Sequence, residues 1–518
     1  MVYLMAAFGY TNPPILRRIT VPPMNTFVAI DQGTTSTRSI LFDENFTVLR
    51  SCQKEFRQSF PQPGWVEHDA GEIWDTVQST LEGLDLSANS PPIAIGITNQ
   101  RETSVVWERT SGEPAAPAIV WQDRRTAAET DRLREQGHEP FIQERTGLLL
   151  DPYFSATKWK WLLDSIPGGF SRAERGDLML GTIESWLIYK LTSGDVHVTD
   201  VSNASRTLLM NLDTGKWDAD LLKLFQIPER ALPQIVPTAY NFGEANISGL
   251  KVPITSSIGD QQAALFGQHC HVPGLAKCTY GTGCFLLTFT GDKLLRSNNR
   301  LLSTAAWQIS SQPLQYAIEG SVFVGGAVIQ WLRDGLEMIG SSPDVNGLAA
   351  KVEDAGGVVF VPAFTGLGAP HWDPGACGGI LGLSRGTTAA HIAHAAIEGI
   401  AFQVDDVLRA TNADASVHSS GNTVSGLRVD GGASASDLLM QTQSDLSGLK
   451  IERPEVVEST ARGAAMMAAL QAGHFGCIED FSRVAPARQT FHPQLDQTRQ
   501  HARRSRWQEA VKRVMNWH

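Results

Sequence analysis

An α/β fold of two duplicated halves, each a mixed sheet flanked by helices, is predicted by three features of this 518-residue chain. The first is a strand, Gly/Thr turn, strand unit near the start, Phe27-Val-Ala-Ile-Asp31-Gln-Gly33-Thr34-Thr35-Ser36-Thr37-Arg38 and on to Asp43. The second is its recurrence further on, as Lys277-Cys-Thr-Tyr-Gly281-Thr282-Gly283-Cys-Phe285-Leu-Leu-Thr-Phe289. The third is the alternation of apolar runs, such as Ile93 to Ile97 and Ala118 to Trp121, with helical stretches, such as Glu72 to Val77 and Thr182 to Tyr189. A hairpin at the head of each half makes the sheets mixed rather than purely parallel.

Length agrees with this division, since 518 residues exceed what one hydrophobic core supports. We divide the chain into an N-terminal extension, residues 1–24, expected to be disordered, and two domains, residues 25–267 and 268–518. The boundary is placed in Gly267-Gln-His-Cys-His-Val-Pro-Gly274, between a helix and the second hairpin. A hydrophobic content of 42% provides for sizeable cores, and a net charge of −11 argues against nucleic acid or a polybasic membrane contact as partner. Six scattered cysteines without a CxxC pair indicate a reducing compartment. No apolar run has the length of a membrane span, and Arg17-Arg18 follows the early apolar stretch instead of preceding it, so a cytoplasmic location is expected.

The first hairpin has the residue types that hold a polyphosphate. Gly33 is read as the residue whose backbone freedom lets main-chain N–H groups converge on an anion. Thr34, Thr35 and Ser36 add hydroxyl donors, Arg38 adds a cationic fork, and Asp31 can support a hydrated magnesium ion. Taken alone, the unit is read equally well as an ordinary turn between two strands. The second copy tips the balance toward one nucleotide gripped between the halves.

Further ordered segments are Asn99-Gln-Arg101-Glu102-Thr103, Trp121-Gln-Asp-Arg-Arg-Thr126, Tyr153 to Trp161, Ser202-Asn-Ala-Ser-Arg-Thr207, Gly259-Asp260-Gln261 to Gly267 and Val429-Asp-Gly431-Gly-Ala433. From about Thr26 to about Phe481 the chain resembles the FGGY carbohydrate kinase family, and within it the members that phosphorylate glycerol. The resemblance implies a duplicated actin-like (ribonuclease H-like) ATPase fold with the site in the interdomain cleft, ATP and Mg²⁺ as cofactors, and a homodimer or homotetramer. It makes Asp260 the catalytic base and, with Asp31, a metal-site residue. It places Arg101, Glu102, Trp121, Tyr153, Asp260, Gln261 and Phe285 around glycerol, and Thr34, Thr35, Ser36, Arg38, Thr282, Gly326, Gln330, Gly431 and Ser436 around the nucleotide. On the residues alone, a helix N-cap is the favoured reading of Asp260, which the resemblance reverses.

Departures from the family pattern give further expectations. Ser436 stands where many members have an Asn near the adenine, so one amide contact is missing or replaced. Asn246 to Lys251 lacks the Arg and Gly neighbours of the loop that binds fructose 1,6-bisphosphate in some members, so inhibition by that sugar is expected to be weak or absent. Asp213 occupies the position of a histidine that a phosphocarrier modifies elsewhere in the family. The alternatives are a kinase of the same family for another polyol or sugar, such as erythritol or xylulose, and an ATP-gated chaperone-like clamp.

Overall fold

The computed structural model describes residues 25–87, 90–417, 423–455, 458–485 and 488–517, so the extension expected to be disordered lies outside the described residues. In the first half, β1 (Thr26–Gln32), β2 (Ser36–Asp43), β3 (Val48–Glu55), β4 (Ala94–Asn99), β5 (Glu244–Ile247) and β6 (Leu250–Gly259) form a six-stranded sheet of order β5-β6-β4-β1-β2-β3. In the second half, β7 (Leu275–Tyr280), β8 (Cys284–Gly291), β9 (Leu302–Trp307), β10 (Gln315–Val322), β11 (Gly426–Asp430), β12 (Ile451–Pro454) and β13 (Arg488–Phe491) form a seven-stranded sheet of order β9-β10-β8-β7-β11-β12-β13.

The duplication predicted from two hairpins extends across the whole of both sheets. From β3 to β5 the first sheet pairs antiparallel, antiparallel, parallel, parallel, antiparallel. From β10 to β13 the second sheet repeats the same series, with β9 as its added edge. Strand β1, buried along most of its length, is Phe-Val-Ala-Ile, as expected for a strand covered on both faces.

The helices that matter for the site are α1 (Ala70–Glu82), α2 (Ile183–Leu191), α3 (Asp260–Gly267), α4 (Ala327–Asp334), α5 (Ala389–Val417), α6 (Asp437–Ser447) and α7 (Ser459–Gln471). Asp69 caps α1 by accepting from the N–H groups of Gly71 and Glu72. Small residues let α7 lie directly on α3 and on the first sheet: a Cβ on Gly463 would stand 1.9 Å from Ala263 O, and one on Gly267 2.1 Å from Ser459 O. Ser256 Oγ and Thr255 Oγ1 donate to the α7 carbonyls of Ala464 and Ala468 at 2.8 and 3.0 Å. A helix from the second half thus completes the core of the first. No helix among the described residues is long and apolar enough to cross a membrane.

Two local expectations are corrected, and the start of α6 is fixed. Gly33 is not in the left-handed region; its N–H closes the turn by donating to Ser36 O at 3.0 Å instead of joining an anion cradle. The run Ala118 to Trp121 contributes a strand of only Ala118–Ile119. The glycines of Gly431-Gly432 open a 3₁₀ turn, Gly432–Ala435, and the α-helix begins at Asp437, because the Ser436 hydroxyl accepts from Leu439 N–H and caps it there.

Candidate active site

The end of β4 delivers Arg101 and Glu102 to the cleft between the halves. Glu102 has φ +62°, in the left-handed region, inside a tight turn in which Thr103 N–H donates to Arg101 O at 2.8 Å. For a residue with a Cβ that conformation costs about 1–2 kcal/mol, and such strain gathers where a side chain must be aimed. Both side chains are buried, and around them closes a ring of four charges. Arg101 donates from Nη1 and Nη2 to Glu319 at 2.6 and 2.9 Å. Arg206 donates from Nε to Glu102 Oε1 at 2.6 Å and from Nη2 to Glu319 Oε1 at 3.0 Å. Flanked by two guanidinium groups, Glu319 is held down at about 2 against the opposing effect of burial, while burial pushes Glu102 up.

Asp260 is the first residue of α3 and does not cap it; Gly259 occupies the cap position, with no side-chain bond. The carboxylate accepts instead from Gln261 N–H at 2.7 Å and from Gln261 Nε2 at 3.2 Å, and Arg101 Nε lies 3.3 Å from Oδ1. The N-cap alternative of the sequence is therefore not the geometry observed. Asp31, on β1, is close enough for Asp260 and Glu458 to raise its carboxyl, and with burial the largest cause its pKa reaches about 7, against the lowering by Arg38.

An aromatic wall faces these acids. Trp121 meets Tyr153 edge-on at 5.6 Å and Phe285, from the second half, at 6.3 Å, while its indole N–H donates to Thr34 Oγ1 at 3.0 Å. Buried Lys158 fixes the Tyr153 backbone by donating to its carbonyl at 2.5 Å. The seven residues expected around a small polyol are linked by contacts, with Arg206 joining the acids to the aromatic rings through its bond to Glu102 and its place 5.8 Å from the Tyr153 ring centre.

The second turn is bolted to the start of α4. Gly325 N–H donates to Thr282 O at 2.7 Å and Gly326 N–H to Gly281 O at 2.8 Å, leaving Thr282 and Gln330 exposed. A Cβ on Gly326 would stand 3.7 Å from that of Ala433, which brings the Gly431 loop to the same place. Gly431 needs its glycine: φ is +85°, and a Cβ would lie 2.6 Å from Tyr280 O. Lys277 connects this side to the acids, donating to Gln261 Oε1 at 2.5 Å and to Thr279 Oγ1 at 2.7 Å; Thr279 in turn donates to Asp430 at 2.5 Å. Asp260 and the Gly431 loop are therefore joined through one contiguous set of contacts, by way of Gln261, Lys277, Thr279 and Asp430, while Asp31 senses the charge of Asp260.

Some expected residues have other partners. Arg38 is engaged by Glu458, Ser36 Oγ accepts from Gln53 at 3.0 Å, and Thr35 is exposed. Ser436 Oγ donates to Asn346 Oδ1 at 2.5 Å, so an amide does stand beside the position where the sequence lacks one. Sequence reasoning missed Lys277, Glu319, Asn346 and Glu458 as site residues and gave Arg206 no role. The one signal available was an acid or lysine inside an otherwise apolar strand, as in Tyr316-Ala-Ile-Glu319 and Leu275-Ala-Lys277.

Two like domains that meet over paired carboxylates, buried arginines and two Gly/Thr turns define an α/β enzyme of the phosphotransferase class. Residues 26–267 match the N-terminal domain, and residues 276–472 the C-terminal domain, of the FGGY family of carbohydrate kinases. The chain belongs to that family. It is 54% identical over 497 residues to a glycerol kinase from Ralstonia pickettii, covering 95% of this chain and 98% of that one. It is 51% identical over 508 residues to a glycerol kinase from Rhodopirellula baltica, covering 97% and 92%. The crystal structure of Plasmodium falciparum glycerol kinase with ADP superposes with a TM-score of 0.90 at 36% identity, covering 95% of this chain and 98% of that chain. A gluconate kinase from Lactobacillus acidophilus, at 22% identity and a TM-score of 0.83, shares the fold.

Proposed function

We propose that this enzyme transfers the γ-phosphoryl group of ATP to a terminal hydroxyl of glycerol, giving sn-glycerol 3-phosphate and ADP. The observation that carries the reading is the pairing of Arg101 with Glu102 beside Asp260 under the Trp121, Tyr153 and Phe285 wall. A polyol hydroxyl both donates and accepts, so a guanidinium and a carboxylate side by side satisfy it from both sides. The aromatic faces suit its carbon backbone. The relatives named glycerol kinase support the same substrate.

In the reaction, Asp260 accepts the proton of the terminal hydroxyl as its oxygen attacks the γ-phosphorus; the new O–P bond forms and the bond to the β–γ bridging oxygen breaks, releasing ADP. Gln261, bonded to both carboxylate oxygens and fixed by Lys277, holds the base in place. Thr34, Thr35, Ser36, Arg38 and Thr282 are assigned to the phosphates, and Gly326, Gln330, Gly431 and Ser436 to the rest of the nucleotide. Asp31 and Asp260 suit a Mg²⁺ ion, which uses one or two carboxylates plus phosphate oxygens and supplies charge neutralisation when bound. The first region then serves the polyol and the base, and the second the nucleotide. A cytoplasmic enzyme of two or four subunits fits this reading.

A coupled assay over a panel of polyols and nucleotides tests it. Glycerol with ATP is expected to give the highest kcat/KM. A higher value for erythritol or xylulose would transfer the enzyme to another substrate of the family.

A further inference from the structure

We propose that Glu319, which comes from the second half of the chain, is a positioning residue for the polyol pocket, acting through Arg101 directly and through Arg206 on Glu102. The inference rests on the reading of that pocket given above and adds the residue that sets its geometry. Strand β10 presents Glu319 on the same face as Ser321, and the register pairs Leu287 with Glu319 and Phe285 with Ser321. Glu319 therefore stands on the face that carries the aromatic wall, fully buried, and reaches across to two arginines of the other half.

The hydrogen-bond count shows what this contact does. Of the five N–H groups of Arg101, two go to Glu319, one to Gln262 Oε1 at 3.1 Å, and Nε faces Asp260 at 3.3 Å. One hydrogen on Nη2 is left. Glu102 Oε1 is taken by Arg206, and among the described residues no partner is recorded for Oε2. One donor on Arg101 and one acceptor on the adjoining Glu102 thus remain for a ligand hydroxyl.

The charges show why the arrangement depends on Glu319. The four side chains Arg101, Arg206, Glu102 and Glu319 sum to zero, so a buried polar cluster persists without excess charge. Without the Glu319 carboxylate, Arg101 would have two other acids within reach, Asp260 at 3.3 Å and Glu102 at 3.8 Å. Closing onto either would use up the acceptor meant for the hydroxyl or the base meant for its proton. Arg206 would keep only Glu102, with its Nη1 already buried and unpaired against the Tyr153 and Phe154 rings.

The test is steady-state kinetics of the full-length enzyme with Glu319→Gln, Arg206→Lys and the double variant Glu319→Gln/Arg206→Gln, set beside Arg206→Gln alone. Glu319→Gln is expected to raise the KM for glycerol about 10- to 100-fold, the range for a lost charged hydrogen bond, with the KM for ATP within about twofold of wild type. The double variant should lose less than the product of its two single changes, because the two side chains act through one ring. Arg206→Lys, which keeps the charge, carries the measurement if Glu319→Gln does not fold. An unchanged KM for glycerol in a folded variant, equal rises in both KM values, or failure of every variant to fold would each overturn the assignment. Wild-type turnover of glycerol is read in the same series, so an error in the substrate appears in the wild type and an error about Glu319 only in the variants.

Discussion

Individual residues decide the chemistry through what their neighbours leave free. Asp260 is tied by Gln261 and touched by Arg101, which orients it without neutralising it in a bidentate pair. Asp260→Asn is expected to lower kcat by about 10²- to 10⁴-fold, the usual worth of a positioned base, with glycerol binding still measurable by calorimetry. Turnover near the wild-type level would remove it from the mechanism. Asp31 predicts a pH dependence. Its pKa of about 7 lies above the unfolded value near 3.8, so its contribution to stability is complete below about pH 3.8 and is lost as the pH rises through 7 in the metal-free protein. A cation needs the same carboxylate without its proton, so binding of Mg²⁺ with ADP should be about tenfold weaker at pH 6 than at pH 8. Titration calorimetry at the two pH values measures this, and Asp31→Asn should flatten the difference; an equally steep profile in that variant would assign the proton elsewhere.

At the scale of elements, the two hairpins, the strand at Ile93 to Ile97 and the helix ending at Gly267 were legible, because turn glycines and apolar alternation are local signals. What joins them was not. Glu319 meets Arg101 across 218 positions and Glu458 meets Arg38 across 420, and nothing in a linear pattern marks such a pair. The φ of Glu102 was hidden for a related reason: a non-glycine residue gives no sign of left-handed backbone until its surroundings impose it. Asn346 falls in a short helix, Asp344–Ala349, remote from Ser436 in sequence, yet the two side chains touch. Asn346→Ala should raise the KM for ATP about three- to tenfold while leaving the KM for glycerol in place, the size of one neutral hydrogen bond. Equal kinetic constants would separate Asn346 from the base. The α7–α3 contact predicts the cost of closeness. Alanine is the better helix former by about 1 kcal/mol, but a Cβ at Gly463 would sit 1.9 Å from a backbone oxygen. The clash wins, and Gly463→Ala should destabilise by about 1–3 kcal/mol in denaturant melts.

Considered whole, the molecule has two sheets of the same design, each over a buried cluster of its own, and a third cluster that the two halves build together. One buried cluster takes Phe27, Ala29 and Ile40 from the first sheet, Leu287, Phe289 and Trp307 from the second, and Ala461 to Ala469 from α7. Two domains joined by a polar interface of ordinary size commonly unfold in separate steps, whereas halves that complete one another's core lose that independence. Calorimetry of the ligand-free protein should therefore show one cooperative transition, and residues 25–267 expressed alone should fail to give a sharp one, because the apolar surface covered by α7 would face water. Two resolved endotherms, or a cooperative melt of the isolated first half, would contradict the shared core. The arrangement also bears on function. The aromatic cluster takes Trp121 and Tyr153 from one half and Phe285 from the other, and Glu319 reaches Arg101 from the second half to the first. A ligand seated there binds only the native pairing of the halves, so glycerol at about 100 times its Kd should raise the stability of this single transition by about 2.7 kcal/mol and shift it without splitting it.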